Sequence, residues 1–233
     1  DMKLRHHRFL LSALLLALCF ALSSCSAAGF VPKSDTTWGE LFRQFDSEEF
    51  SELDPQLQQM MDEAVLSQEV AENEAQPLTE VGSVGMIYPE EDSDGAQEIL
   101  DKAIYASADG LLSDRTETEP GLVVFDLISY PQADKTGIEY NGMLSTFAEC
   151  PGACVLVALQ DSESGEFVAF DYTDDLSQHT NDSGTISQTN MEDNFDNLKP
   201  DHQYTIKARA FVLPPEGRTI EGSLYTEASL ATL

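Results

Sequence analysis

The chain has 233 residues, of which 42 are Asp or Glu and 12 are Lys or Arg, so its formal net charge is −30 at pH 7. A surface this negative repels phosphate backbones and anionic lipid headgroups, which excludes nucleic acid from the expected partners. Only four cysteines and four histidines are present, so few side chains remain for a transition-metal or nucleophilic site.

The N-terminus has the pattern of an export signal. Lys3, Arg5 and Arg8 precede an apolar run from Phe9 to Leu22. A run of about 14 residues is too short to span a bilayer core of about 30 Å as a permanent helix. We therefore expect this segment to be removed.

The apolar run ends in Leu22-Ser23-Ser24-Cys25, which resembles the lipobox of bacterial lipoproteins. The resemblance implies that residues 1–24 are a signal peptide and that Cys25 becomes the lipidated first residue. The protein would then be membrane-anchored in the bacterial cell envelope, facing the periplasm or the exterior. The alternatives are an ordinary signal peptide cleaved near Ala27 or Ala28, and an uncleaved core helix. Cleavage before Cys25 removes three of the 12 basic and one of the 42 acidic residues, leaving 9 and 41 and a net charge of −32.

Residues 25–36 are small and polar and predict a tether, and a helical segment is predicted over 37–72. Thr37 with Glu40 matches a capping box, and Asp54 followed by Pro55 marks a second helix start. Apolar residues then recur at helical spacing to about Val70: Leu57, Met60, Met61, Ala64 and Val65. This apolar face either packs within the chain or docks in a groove of another protein.

Residues 73–93 are rich in Glu, Gly and Pro and predict an acidic linker, with one short possible strand at 84–88. Residues 94–118 predict a helix and its connection. The spacing of four carboxylates resembles a degraded EF-hand loop, which would bind calcium through those oxygens. The alternative is plain helix capping. The four residues are Glu90, Asp92, Asp94 and Asp101.

From residue 119 onward, turn signals separate short apolar or alternating segments. The predicted strands are 121–130, 137–147, 153–160, 167–172, 185–190, 203–213 and 220–230. Seven short strands without an amphipathic helix predict an antiparallel β-sandwich over 119–233, so the protein should be mainly β with a short helical N-terminal region. In the strand at 203–213, small and apolar residues alternate with polar ones and predict one buried and one solvated face: Tyr204, Ile206, Ala208 and Ala210 against Thr205, Lys207 and Arg209.

The segment LKPDHQYTIKARA, residues 198–210, resembles a corner and strand of fibronectin type III domains, particularly those of bacterial surface lipoproteins. The resemblance covers about 120–233. It implies an immunoglobulin-like sandwich in which Tyr204 forms a tyrosine corner, with its hydroxyl bonded to upstream backbone. Such domains commonly carry a Trp in the second strand, whereas the only Trp here is Trp38. The core should then be filled by other residues, such as Phe147 or Phe170.

Cys150 and Cys154 flank a Pro-Gly turn in the segment CPGAC. A turn brings residues four apart close together, so we predict a disulfide in an oxidising compartment, with the effect of stiffening one turn. The alternatives are a metal site, which lacks further ligands nearby, and a redox pair, which usually has tighter spacing.

Catalytic groupings are scarce, because only His179 and His202 follow the signal segment and there is no Gly-rich phosphate loop. We therefore expect a non-catalytic protein without a cofactor. Contact loops are expected at 171–184 and 213–218, because loops vary while sheets hold their shape. The first is the candidate binding loop, and its carboxylates could hold calcium or simply be solvated; its polar residues are Asp171, Tyr172, Asp174, Asp175, Asn181 and Asp182.

The sequence as a whole favours a lipid-anchored binding or adhesion module of the cell envelope. Such a module would present its β-sandwich to an extracellular protein, a glycan or an envelope complex. The alternative is a structural subunit of an envelope complex that docks through the N-terminal helices.

Overall fold

The computed structural model describes residues 29–69, 80–89, 121–133, 136–181 and 184–233. These residues form a layer of short helices, a four-stranded sheet and a six-stranded sheet. The described part is therefore mainly β and sandwich-like, with its helices on the N-terminal side, as predicted. None of these helices is long and apolar enough to cross a membrane.

The described helices are α1 (Trp38–Phe45), α2 (Ser47–Glu52) and α3 (Pro55–Glu63), followed by a 3-10 turn at Leu66–Gln68. The strands are β1 (Glu80–Pro89), β2 (Leu122–Pro131), β3 (Ile138–Thr146), β4 (Gly152–Asp161), β5 (Phe167–Thr173), β6 (Ser177–Asn181), β7 (Gly184–Phe195), β8 (Gln203–Leu213), β9 (Arg218–Glu221) and β10 (Tyr225–Ala231). The six-stranded sheet has the order β6-β7-β3-β2-β1-β9, and the four-stranded sheet has the order β10-β8-β4-β5. All pairings are antiparallel.

Local capping starts two of the helices where the sequence predicts. The Thr37 hydroxyl accepts the Glu40 backbone N–H, and the Glu40 carboxylate accepts the Thr37 N–H, each at 3.1 Å. Asp54 caps α3, with Pro55 at the first helical position. This helix ends at Glu63 instead of continuing to about residue 70. Its end is set by pairing of the next backbone segment with the α1 start, where the Trp38 N–H donates to the Ala64 carbonyl at 2.9 Å.

The helix layer covers the outer face of the four-stranded sheet. Trp38, Leu41 and Phe42 are fully buried there. The predicted solvated face of β8 is therefore wrong, because that face lies under the helices. Arg209 on this face pairs with Glu69, and Lys207 pairs with Glu227 at 2.8 Å.

The core between the sheets contains the inward-facing residues predicted for β8, from Tyr204 to Ala210. Its large rings are Phe125, Tyr140, Phe195 and Tyr204. The expected fillers lie elsewhere. Phe147 packs at the outer face of the six-stranded sheet, and Phe170 packs against the helix layer.

The segment predicted as an acidic linker contains β1, which lies inside the six-stranded sheet between β2 and β9. The possible strand at 84–88 is thus real and longer than expected. Gly85 is required by close approach, because a Cβ there would lie 2.9 Å from the Glu221 carbonyl oxygen. The composition of this segment suggested a linker. Its glycine instead permits close packing of neighbouring strands.

Tyr204 lies where the chain crosses from β7 in one sheet to β8 in the other. Its ring is 2% exposed, and its hydroxyl accepts the Lys199 backbone N–H at 3.1 Å. This is the contact with upstream backbone that the sequence led us to expect of a tyrosine corner.

The predicted tether is partly incorporated in the fold. The Phe30 N–H donates to the Phe167 carbonyl at 2.9 Å, and the Phe167 N–H donates back to Phe30 at 2.7 Å. Thr36 is 3% exposed, and its hydroxyl accepts the Lys33 N–H at 2.8 Å. The N-terminal chain is therefore attached to the edge of β5 at Phe30.

Candidate functional site

A cavity of about 580 Å³ opens at the end of the sandwich where β3 leads into β4. We call it the loop-end cavity. Its walls come from the residue before β2, the β3–β4 loop, the β6–β7 hairpin and the β8–β9 turn. The lining residues are Gly121, Phe147, Ala148, Glu149, Cys150, Pro151, Gln178, Gly184, Thr185, Ile186, Pro215, Glu216 and Arg218.

The β3–β4 wall of the cavity is held by side-chain hydrogen bonds to its backbone. The Ser187 hydroxyl donates to the Ala148 carbonyl at 2.9 Å and accepts the Cys150 N–H at 3.1 Å. The Gln178 amide donates to the Cys150 carbonyl at 2.8 Å. A loop fixed in this way loses little conformational freedom when a ligand binds, so the wall is preorganised.

The cavity wall carries both signs of charge on a partly apolar surface. Glu149, Glu216 and Arg218 supply the charges, while Phe147 and Ile186 supply apolar area. Arg218 forms no ion pair with another residue in the described part of the chain, unlike Arg43, Lys199, Lys207 and Arg209. No ion pair within the described residues therefore has to break before its guanidinium pairs with an acidic group of a ligand.

The predicted disulfide between Cys150 and Cys154 is absent, and both residues are free thiols. Cys150 packs in the core between the sheets, whereas Cys154 packs under the helix layer with Leu156. Cys150 lies in the loop before β4 and Cys154 lies within the strand, and the two side chains pack on opposite sides of the sheet instead of closing a turn.

Neither thiol has the setting of a reactive cysteine. Burial raises the pKa of Cys150, against a smaller opposing effect of its contact with Thr146. Burial also raises the pKa of Cys154 well above its ordinary value. Both therefore stay protonated at neutral pH, and the described residues lining the cavity include no histidine that could activate Cys150.

Two residues of the predicted binding loop have structural contacts instead. Asp171 and Tyr172 belong to β5, and Asp171 accepts the Tyr140 hydroxyl at 2.6 Å. Burial, followed by this hydrogen bond, raises the pKa of Tyr140 far above its ordinary value. The Tyr172 ring packs 4.5 Å from the Phe42 ring, and its hydroxyl donates to Glu49 at 2.6 Å. Tyr172 is therefore engaged by the helix layer and does not offer a free ring for sugar stacking.

The rest of that segment does not form the expected acidic loop. Asp174 and Asp175 are exposed in the connection after β5, whereas Asn181 ends β6, an edge strand. Asp182 lies outside the described residues. Among residues that the structure describes, no three His, Cys, Asp or Glu side chains form a group suited to a metal ion. The calcium candidates Glu90, Asp92, Asp94 and Asp101, and the lipidation candidate Cys25, also lie outside them.

The cavity includes part of the second predicted contact loop, 213–218, through Pro215, Glu216 and Arg218. Its other walls were not predicted. The Pro-Gly turn after Cys150 and the polar segment 177–181 were the available signals, but nothing in their order along the chain shows that they meet.

No protein-family model matches this sequence, and no curated protein gives a significant match to it. The loop-end cavity and the sequence patterns therefore carry the functional interpretation.

Proposed function

We propose that the protein is a lipid-anchored, non-catalytic binding module of the bacterial cell envelope, and that the loop-end cavity receives part of its partner. The observation that carries this proposal is the cavity itself. Its volume of about 580 Å³ lies within the range of about 300–1,000 Å³ typical of ligand sites. Its fixed wall and Arg218, which makes no ion pair among the described residues, give it the polar groups that such sites use for orientation.

The strand arrangement supports a fibronectin type III-like module as the scaffold. The neighbours β2-β3-β7 and β4-β8-β10 correspond to the A-B-E and C-F-G strands of immunoglobulin-like sandwiches. The buried Tyr204 lies at the crossing expected for a tyrosine corner. In this scaffold, the loops at one end of the sandwich are the usual contact surface, and the cavity lies among such loops.

The alternative is a structural subunit that docks through its N-terminal helices. The described helices already use their apolar faces against the four-stranded sheet, where Leu41, Phe42 and Leu57 are buried. A partner would therefore meet mainly the polar side of this layer. This observation favours the cavity as the contact site.

The anchor is tested by replacing Cys25 with Ser in the full-length chain and comparing it with a Cys19→Ser variant. Both substitutions fall in the same N-terminal segment, but only Cys25 is the predicted lipid acceptor. We expect Cys25→Ser to leave the membrane fraction and to lack lipid mass, whereas Cys19→Ser retains both. Equal behaviour of the two variants would contradict the anchor.

The contact site is tested by a photoreactive amino acid placed at one of two exposed glutamates in intact cells. Glu216 lies at the cavity, and Glu52 lies in α2 on the helix layer. We expect a defined cross-linked partner from position 216 and none from position 52. A partner captured only from position 52 would support the structural-subunit alternative and contradict the proposed site.

A further inference from the structure

We infer that the loop-end cavity faces away from the membrane, and that the opposite end of the sandwich lies next to the bilayer on a very short tether. This inference rests on the proposed lipid at Cys25. The partner of the cavity would then be located beyond the lipid headgroups.

The length of the tether follows from the pairing of Phe30 with Phe167. Two backbone hydrogen bonds, of 2.9 and 2.7 Å, fix Phe30 to the start of β5. Five residue steps separate Cys25 from Phe30, and a fully extended chain covers at most about 18 Å over that length. Phe30 must therefore stay within about 18 Å of the membrane surface.

The position of Phe30 along the sandwich follows from the strand register. Phe167 pairs with Gln160 near the end of β4. The first residue of β4, Gly152, follows Pro151 in the cavity wall and pairs with Leu213. The ten residues of β4 thus separate the two ends, and a strand of that length spans about 30 Å. The cavity lies at the end opposite to the attachment point.

The end of the sandwich where Phe30 pairs with Phe167, the attachment end, contains a buried hydrogen-bond network. Asp161 is 1% exposed and accepts the Lys199 ammonium at 2.7 Å, and the His202 ring nitrogen lies 2.9 Å away. The same carboxylate accepts the backbone N–H groups of Glu163 and Ser164 at 3.0 Å each. This network joins the β4–β5 turn to the β7–β8 corner. The attachment end is therefore held together by bonded structure.

Charge favours an upright arrangement over one in which the sandwich lies on its side. The chain without residues 1–24 has a net charge of −32 by the residue counts above. An anionic bilayer surface repels such a body, and the repulsion grows with the area brought within a Debye length of about 8 Å. Contact limited to the attachment end brings the smallest area of this acidic body close to the lipid.

The test uses the full-length lipidated protein in vesicles of zwitterionic and anionic phospholipid that carry a headgroup-attached quencher. A fluorophore is placed at Glu163→Cys in one variant and at Glu216→Cys in the other; both positions are exposed. The native Cys150 and Cys154 are fully buried and should label slowly. We expect severalfold stronger quenching at position 163 than at position 216. Equal or reversed quenching would overturn the orientation.

A long Gly-Ser insertion after Ala28 provides the matched control, because it frees the body from the short tether without altering the described fold. We expect it to reduce the difference between the two positions. The intact mass separates the two levels of the proposal. Lipid at Cys25 with reversed quenching overturns the orientation alone, whereas absence of lipid and of vesicle binding overturns both the anchor and the orientation.

Discussion

Replacing Tyr204 with Phe removes one buried hydroxyl and changes little else. The hydroxyl accepts the Lys199 N–H at 3.1 Å where the chain crosses between the sheets. Leaving a buried donor unsatisfied costs about 1–3 kcal/mol. Because the Lys199 side chain is 65% exposed, water reaches part of this corner, and we expect a loss near the lower end, about 1–2 kcal/mol.

Tyr88→Phe is the matched control for this substitution. Its hydroxyl also makes one hydrogen bond, to Glu221 at 3.0 Å, but at an exposed position. Its effect should stay within about 0.5 kcal/mol. Urea unfolding followed by Trp38 fluorescence measures both, with an unchanged dependence on urea showing that the unfolded states are comparable. If Tyr204→Phe is no more destabilising than Tyr88→Phe, the structural role of the corner is refuted.

Three further predictions concern buried polar groups. The Lys199 hydrogen bond is the largest effect holding the pKa of Asp161 well below its ordinary value of 3.8, so this carboxylate stabilises the fold above about pH 4 and its contribution is lost as pH falls. Urea midpoints should therefore drop less between about pH 5 and pH 3 in Asp161→Asn than in the unmodified chain, and parallel curves would contradict this. Arg209→Met leaves the Glu69 carboxylate buried without its partner and should lower the free energy of unfolding by about 3 kcal/mol. Adding Glu69→Gln should recover much of this loss. An unchanged free energy of unfolding in Arg209→Met would show that the pair contributes nothing to stability. Cys150 and Cys154 should react with a thiol reagent only on unfolding. A reductant should leave the urea midpoint unchanged, and a midpoint that falls with reductant would show that a disulfide is present.

The sequence predicted those features that depend on residues close together in the chain. The Thr37 and Glu40 side chains lie one turn apart, so the capping box could be identified without knowing the rest of the fold. The alternation from Tyr204 to Ala210 specified which residues enter the core, because a shift of one residue would bury Lys207 and Arg209 there. The other face of β8 could not be predicted, since the helices that cover it come from a segment more than a hundred residues away.

Predictions from the sequence failed where one sequence pattern is compatible with two different structures. Gly85 occurs in a Glu- and Gly-rich segment that resembles a linker, yet its lack of a side chain lets β9 approach β1. Segment 177–181 is polar on both faces, as an edge strand permits, and therefore gave no alternation. The spacing of Cys150 and Cys154 suits a turn, but Cys150 in the loop packs between the sheets, whereas Cys154 in β4 packs under the helix layer.

The loop-end cavity is assembled from segments that are far apart in the sequence. The cavity brings together four separate parts of the chain that meet only in the folded structure, represented by Gly121, Cys150, Ile186 and Arg218. Single residues such as Arg218 have no sequence context that marks them as part of a site. Only the three-dimensional arrangement shows that Arg218 lines the same cavity as Phe147, Ile186 and the β3–β4 loop.

Filling the cavity tests the central claim most directly. Ile186 lines the loop-end cavity, whereas Ile128 is 38% exposed on the outer face of the six-stranded sheet. The measurement is the yield of the partner adduct from a photoreactive group at position 216 in cells carrying Ile186→Trp or Ile128→Trp, after circular dichroism has shown both variants folded. The account predicts that Ile186→Trp abolishes the adduct and Ile128→Trp retains it. An adduct that persists unchanged in Ile186→Trp would contradict binding in the cavity.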